Sequence, residues 1–94
     1  MNYYLLIYHV IHDYVARRAP FREEHLRLAR EAHDRGELVL AGALTDPIDQ
    51  AVLVFRWPDR SVAENFVAND PYVKHGLVPR WEIRNWDVVI GTPK

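Results

Sequence analysis

Apolar positions recur along the chain in two rhythms, and the switches between them divide it into six elements. Tyr3 to Val10 is a continuous apolar, aromatic and branched run of strand length. His9 to Tyr14 lead into a connection that reaches Ala19. From Pro20 to Arg35 the period lengthens to that of a helix. Phe21, Leu28, Ala29 and Ala32 share one face, while Glu23, Glu24, Arg27, Arg30, Glu31 and Asp34 take the rest. Pro20 suits a first helical turn, and Gly36 suits the residue just past the last. Leu38 to Leu44 reads as a second strand interrupted by Gly42, followed by a turn from Thr45 to Asp49. Ala51 to Trp57 is a third strand, closed by Pro58. Ser61 is expected to N-cap a helix reaching Asn69, with Glu64 completing a capping box and Val62, Phe66 and Val67 facing inward. An irregular stretch from Asp70 to Pro79 leads to a final strand from Trp81 to Ile90. Gly91 to Lys94 is expected to be a loose end.

The order is β-α-β-β-α-β, which predicts an α+β, ferredoxin-like domain spanning residues 1–94. Such a domain is a four-stranded antiparallel sheet with both helices on one face. Branched and aromatic residues make both sheet faces apolar in places. The uncovered face would be an aggregation hazard, so its expected cover is a second copy of the chain, as a homodimer packed sheet to sheet.

Composition narrows the function classes. The 94 residues carry a net charge of −1, with 27% charged and 49% hydrophobic positions. Charges of both signs alternate and no basic run appears, which gives nucleic-acid binding nothing to rest on. The chain contains no cysteine, so thiolate nucleophiles and cysteine-held metals are excluded. Apolar stretches are strand-sized, and the N-terminus lacks the pattern of a signal peptide. The expectation is a cytoplasmic protein without a membrane segment.

One residue breaks the helical pattern. His25 falls inside the apolar arc of the first long helix, flanked by Phe21, Leu28 and Ala32. A buried polar group without a partner costs about 1–3 kcal/mol, so the ring needs one. Asp70 is a candidate: it ends the second helix, and Pro71 both stops that helix and steers Asp70 away from helical geometry. A carboxylate at a helix C-terminus opposes the macrodipole and calls for compensation. Both helices lie side by side in this fold, which lets Asp70 approach His25. A carboxylate on one imidazole nitrogen fixes the tautomer and leaves the other nitrogen as a general acid or base. The alternative is a core histidine satisfied by a backbone carbonyl, with Asp70 serving only the turn. Tyr72, directly after the Asp-Pro pair, is expected at the mouth of any cavity there. Arg22 is a candidate partner for a substrate carboxylate or phenolate, or else a solvated helix-face residue.

The string Arg22-Glu23-Glu24-His25-Leu26, with Gly36-Glu37-Leu38, Ala41-Gly42-Ala43, Asn69-Asp70-Pro71-Tyr72-Val73 and Gly76-Leu77-Val78 after it, resembles the YciI-like (YCII-related) family. The resemblance runs from Tyr3 to about Val89. It implies a dimeric α/β barrel of ferredoxin-like fold, with His25 and Asp70 as the active-site pair proposed for the family. Relatives include a dehydrochlorinase acting on a chlorinated hydroxyhydroquinone. Muconolactone isomerase-like and cofactor-free monooxygenase-like proteins share the broader fold. Two departures stand out: Ala43 where many relatives have proline, and His75 where a small residue is common. His75 is therefore a candidate polar group at the site, or a surface residue.

The other histidines suggest no metal. His9 and His12, three apart at a strand end, project to opposite faces and lack supporting ligands. His33 reads as a solvated residue favoured by the helix end. The aromatic residues Tyr3, Tyr4, Tyr8, Phe55, Trp57, Phe66, Trp81 and Trp86 are assigned to core and interface ahead of a ring-binding pocket. The sequence thus points to a lyase- or isomerase-type enzyme needing no cofactor. In it His25, oriented by Asp70, moves a proton on a small phenolic or lactone-like substrate. The alternative is a non-catalytic dimeric ligand-binding or accessory protein.

Overall fold

A computed structural model describes residues 1–91, and the expected loose end, Gly91 to Lys94, lies outside the described residues from position 92 onward. Strand β1 (Asn2–His9) is followed by a short helix α1 (Tyr14–Arg17), a 3-10 turn (Ala19–Phe21) and the long helix α2 (Arg22–Asp34). Then come β2 (Leu38–Ala43), β3 (Gln50–Trp57), α3 (Ser61–Asn69), a second short helix α4 (Pro71–Lys74) and β4 (Arg80–Trp86). The sheet order is β2-β3-β1-β4 with every neighbouring pair antiparallel, which is the ferredoxin-like arrangement.

Alternation along β1 sorts the two faces. Tyr4, Leu6 and Tyr8 are buried beneath the helices, whereas Tyr3, Leu5, Ile7 and His9 are half-buried on the other side. Across the ladder, Leu6 stands between Leu53 and Ile83, and both of those are buried too. Phe55, Ala32, Leu38, Val62, Ala63, Phe66 and Val67 complete a core between sheet and helices. The face away from the helices carries Leu5, Ile7, Val52 and Val54, with Leu40 and Trp86 at its margins, 64% and 48% exposed.

Several local expectations change. Pro20 lies in the 3-10 turn, so α2 begins two residues later, at Arg22. Ser61 is the first helical residue rather than the cap. Its N–H donates to the Asp59 carboxylate at 2.9 Å, and the Ser61 hydroxyl and N–H together hold that carboxyl below its usual range. Glu64 turns instead to Arg60, 3.4 Å away, and no capping box forms. His33, although exposed, donates from Nδ1 to the Leu38 carbonyl at 2.8 Å and so ties the end of α2 to β2. The last strand stops at Trp86, short of Ile90. Gly36 does end α2, at φ +81°: its N–H and that of Glu37 bond the carbonyls of His33 and Ala32. No helix among the described residues is long and apolar enough to cross a membrane.

Candidate active site

Helix α2 presents Arg22, His25, Leu26 and Ala29 along one side, at spacings of three and four residues, and all four line a single cavity. Asp70 reaches the same place from α3. Pro71 forbids a further helical turn, and Asp70 adopts φ −74° and ψ 120°, outside the α region. That bend makes it both the last cap of α3 and the N-cap of α4, its side chain accepting the Tyr72 N–H at 3.0 Å. The carboxylate therefore sits at a helix start as well as a helix end, which relieves the dipole conflict expected from α3 alone. Gly76, at φ +79°, closes α4. Its N–H bonds the Val73 carbonyl, and Leu77 N–H bonds that of Tyr72. The Leu77 carbonyl in turn accepts Ile11 N–H, which fastens the turn to the end of β1.

The centre of the arrangement is a fully buried carboxylate with three donors. His25 Nδ1 lies 2.9 Å from Asp70 Oδ1 and 3.0 Å from Oδ2. Tyr8, on the central strand β1, donates its hydroxyl to Oδ2 at 2.7 Å. Tyr72 N–H completes the set on Oδ1. Asp70 has no solvent exposure, and a buried carboxylate stripped of its partners costs about 3–5 kcal/mol, so these donors are needed for stability as well as geometry. Burial and the neighbouring carboxylate push the Tyr8 phenol far above its ordinary value, which keeps it a donor.

Because the carboxylate accepts, Nδ1 must carry hydrogen, and in the neutral ring the lone pair sits on Nε2. Stacking holds the ring plane: the Tyr72 ring lies parallel to His25 at 3.9 Å between centroids, and Phe66 meets it edge-on at 6.0 Å. Tyr14 packs edge-on against Tyr72 at 5.6 Å, and the Arg18 guanidinium lies 5.0 Å over the Tyr14 ring. Burial raises the Tyr72 phenol to about 12, opposed by the nearby Arg18 and Arg22 charges. No buried polar side-chain atom among the described residues lacks a partner. Nε2 has no protein partner there and is accordingly open to solvent.

The cavity beside the ring measures about 290 Å³. Its sheet wall is made of Ala41, Gly42, Ala43, Ala51 and Leu53, and its helix wall of Leu26 and Ala29. Ala41 and Ala43 point to the helix side yet remain exposed, because small side chains leave this space unfilled. Ala43, the departure from the family pattern, is thus part of the wall. The volume is at the lower end for small-molecule sites, about 300–1,000 Å³, and suits a compound of one ring.

Of the residues singled out from sequence, His25, Asp70, Tyr72 and Arg22 come together here. Tyr72 forms a buried wall of the cavity rather than its mouth, at 1% exposure. His75 stands apart, exposed and stacked on Phe21 at 4.1 Å. His9 faces Arg80 and Glu82, His12 is exposed, and among the described residues no three His, Asp or Glu side chains are grouped to hold a metal. Tyr8, Tyr14 and Arg18 are the contributors that sequence reading missed. Tyr8 was read only as one of the aromatics of core and interface; its hydroxyl in an apolar run was the signal that it too needed a partner.

Comparison with known proteins agrees with this architecture. The sequence profile of the YCII-related domain matches residues 1–87. No curated protein matches the sequence. Among solved structures, the chain is similar to 5-chloro-2-hydroxyhydroquinone dehydrochlorinase from Burkholderia phenoliruptrix, in complex with 2,5-dihydroxybenzoquinone. The TM-score is 0.74 at 18% identity, covering 90% of this chain and 93% of that one. A NIPSNAP family protein from Agrobacterium tumefaciens gives 0.62 at 17% identity, covering 97% and 95%. An antibiotic biosynthesis monooxygenase gives 0.58 at 15% identity, covering 95% and 99%. At such identities the likeness concerns the fold alone, the ferredoxin-like sheet with its helices on one face. The profile runs through every strand and helix, as the order of motifs around His25 and Asp70 implied, and the chain belongs to the YCII-related domain family.

Proposed function

We propose that this chain is a lyase- or isomerase-type enzyme in which His25, oriented by Asp70, transfers a proton on a small cyclic substrate of phenolic or lactone type. One observation carries the reading: the His25 ring lines a 290 Å³ cavity while its Nδ1 is bonded to both oxygens of a fully buried carboxylate. A fixed imidazole with one free nitrogen is the arrangement that general acid–base chemistry uses. Nε2 takes a proton from a phenolic O–H, or from a C–H beside a carbonyl, and the electron pair moves into the ring or onto the carbonyl oxygen. The imidazolium that forms is stabilised by Asp70. Return of the proton at another carbon completes a tautomerisation. Departure of a leaving group with its bonding pair completes an elimination instead, and the imidazolium then gives its proton to water or to the departing anion. Neither route requires a group beyond the imidazole. Support also comes from the fold shared with a dehydrochlorinase that was solved with a dihydroxybenzoquinone.

The same reading includes a homodimer, formed by burying the Leu5, Ile7, Val52 and Leu40 face of the sheet against its copy. Sedimentation at micromolar concentration should then give twice the chain mass. For the chemistry, hydroxylated aromatics and lactones are screened for loss of substrate and for solvent-deuterium incorporation. Wild-type protein should turn over at least one of them, and His25→Ala should not. Turnover by His25→Ala at the wild-type rate would end the proposal. Binding without turnover by wild type across the screen would favour the ligand-binding alternative.

A further inference from the structure

The cavity at His25 is lined by two arginines and by no acidic residue. Arg22 lies one helical turn before His25 on the same side of α2, and Arg18 enters from the end of α1. Neither has an ion-pair partner among the described residues. Arg27, Arg35 and Arg60 are held by Glu24 and Glu31, by Glu37 and by Glu64, while Arg17, Arg30, Arg56 and Arg84 are likewise without an ion pair there, so it is the shared cavity that sets Arg18 and Arg22 apart. Two further features narrow the ligand. The rest of the lining is mostly apolar, with alanine, glycine and leucine, and the Tyr72 and His25 rings that share it are stacked in parallel on each other. Arg18 is itself held by its contact with the Tyr14 face, so its fork is partly fixed before a ligand arrives.

We infer that the substrate is a small, one-ring organic acid whose carboxylate is bound by Arg18 and Arg22 while its ring lies along the apolar wall beside His25. This assignment rests on the acid–base reading of the same cavity and adds the substrate's charge and the two residues that select it. A planar guanidinium matches a carboxylate through paired N–H bonds, and a cavity of this size has room for one ring and little more. The charge also serves the chemistry. Anchoring the acid group at the arginines presents the far side of the ring to the imidazole, and two cations nearby favour the anionic intermediate that proton removal creates.

The probes are benzoate and phenylacetate, each paired with its neutral amide, followed through the imidazole signals of the intact protein by NMR. The carboxylates should bind at millimolar concentration and shift the His25 resonances, with the amides at least about tenfold weaker. Arg18→Gln and Arg22→Gln should each weaken carboxylate binding by about tenfold and leave the amides unchanged, whereas Arg27→Gln should change neither. Acid and amide binding alike, no carboxylate binding to wild type, or wild-type affinity in both arginine variants would each overturn the assignment. Its failure is separable from that of the proton-transfer reading. Arginine-dependent binding without turnover removes the chemistry and leaves the anion site. His25-dependent turnover of a neutral substrate, with equal acid and amide binding, does the reverse.

Discussion

Among the described residues two histidines face a carboxylate, and they are held in different ways. His9 Nε2 lies 3.6 Å from Glu82, whose side chain is 45% exposed, and the Arg80 guanidinium sits 3.2 and 3.3 Å from its two ring nitrogens. His25 Nδ1 lies 2.9 Å from an aspartate with no exposure at all. At the first pair, water and a competing cation share the ring's interactions, and neither nitrogen has a settled role. At the second, Asp70 is already engaged by Tyr8 and by the Tyr72 amide, and only one orientation of the imidazole satisfies it. Burial of the acceptor, more than the presence of a carboxylate, is what turns a histidine into a positioned group.

The largest expected effect tests the His25 side of that contrast. His25→Ala should lower turnover of a substrate found by screening by about a hundred- to ten-thousand-fold, the usual worth of a general acid–base, in steady-state assays. Asp70→Ala comes next. It orphans the Tyr8 hydroxyl and the Tyr72 amide and removes the cap of α4, so urea unfolding should report a loss of about 3–5 kcal/mol. Tyr8→Phe removes one donor and leaves two, and should cost about 1–3 kcal/mol by the same measurement. Alkaline titration sharpens the role of the buried phenols. Tyr72, raised from 10.0 to about 12, stays protonated in the folded chain while the unfolded chain ionises. Its contribution to stability is complete below pH 10 and is lost as pH rises toward 12, which circular dichroism can follow. The smallest effect belongs to the other histidine. His9→Ala should stay within about 0.5 kcal/mol of wild type, and a larger loss would erase the distinction drawn here.

Much of this was legible in the chain. The apolar run of β1 has the length and residue types of a strand and α2 keeps a helical stripe over thirteen residues, so strands, long helices and their order could be read. Pro71 declared the bend that puts Asp70 outside the helix, and the misplaced polarity of His25 declared the need for a partner. What escaped had no periodic signature. Helices α1 and α4 are four residues each, too short to show a stripe; α1 is held by the burial of Tyr14, and α4 by the Asp70 cap and the burial of Pro71 and Tyr72. Ser61 lies inside α3 and not at its cap, with its own N–H bonded to the Asp59 carboxylate, and nothing in the local pattern distinguished that start from one a residue later. Tyr8 meets Asp70 across 62 positions, and Arg18 reaches the cavity only because α1 turns it there. Contacts of that range are set by topology, and local pattern does not contain them.

The most direct measurement is the long-range proton–nitrogen NMR spectrum of the histidine side chains in the neutral ring. The account predicts that His25 is a single Nδ1–H tautomer with a slowly exchanging proton, that its Nε2 shift is that of an unprotonated nitrogen, and that Nε2 moves when a ligand enters the cavity. An Nε2–H tautomer, or an average of the two as expected for His9, would contradict it.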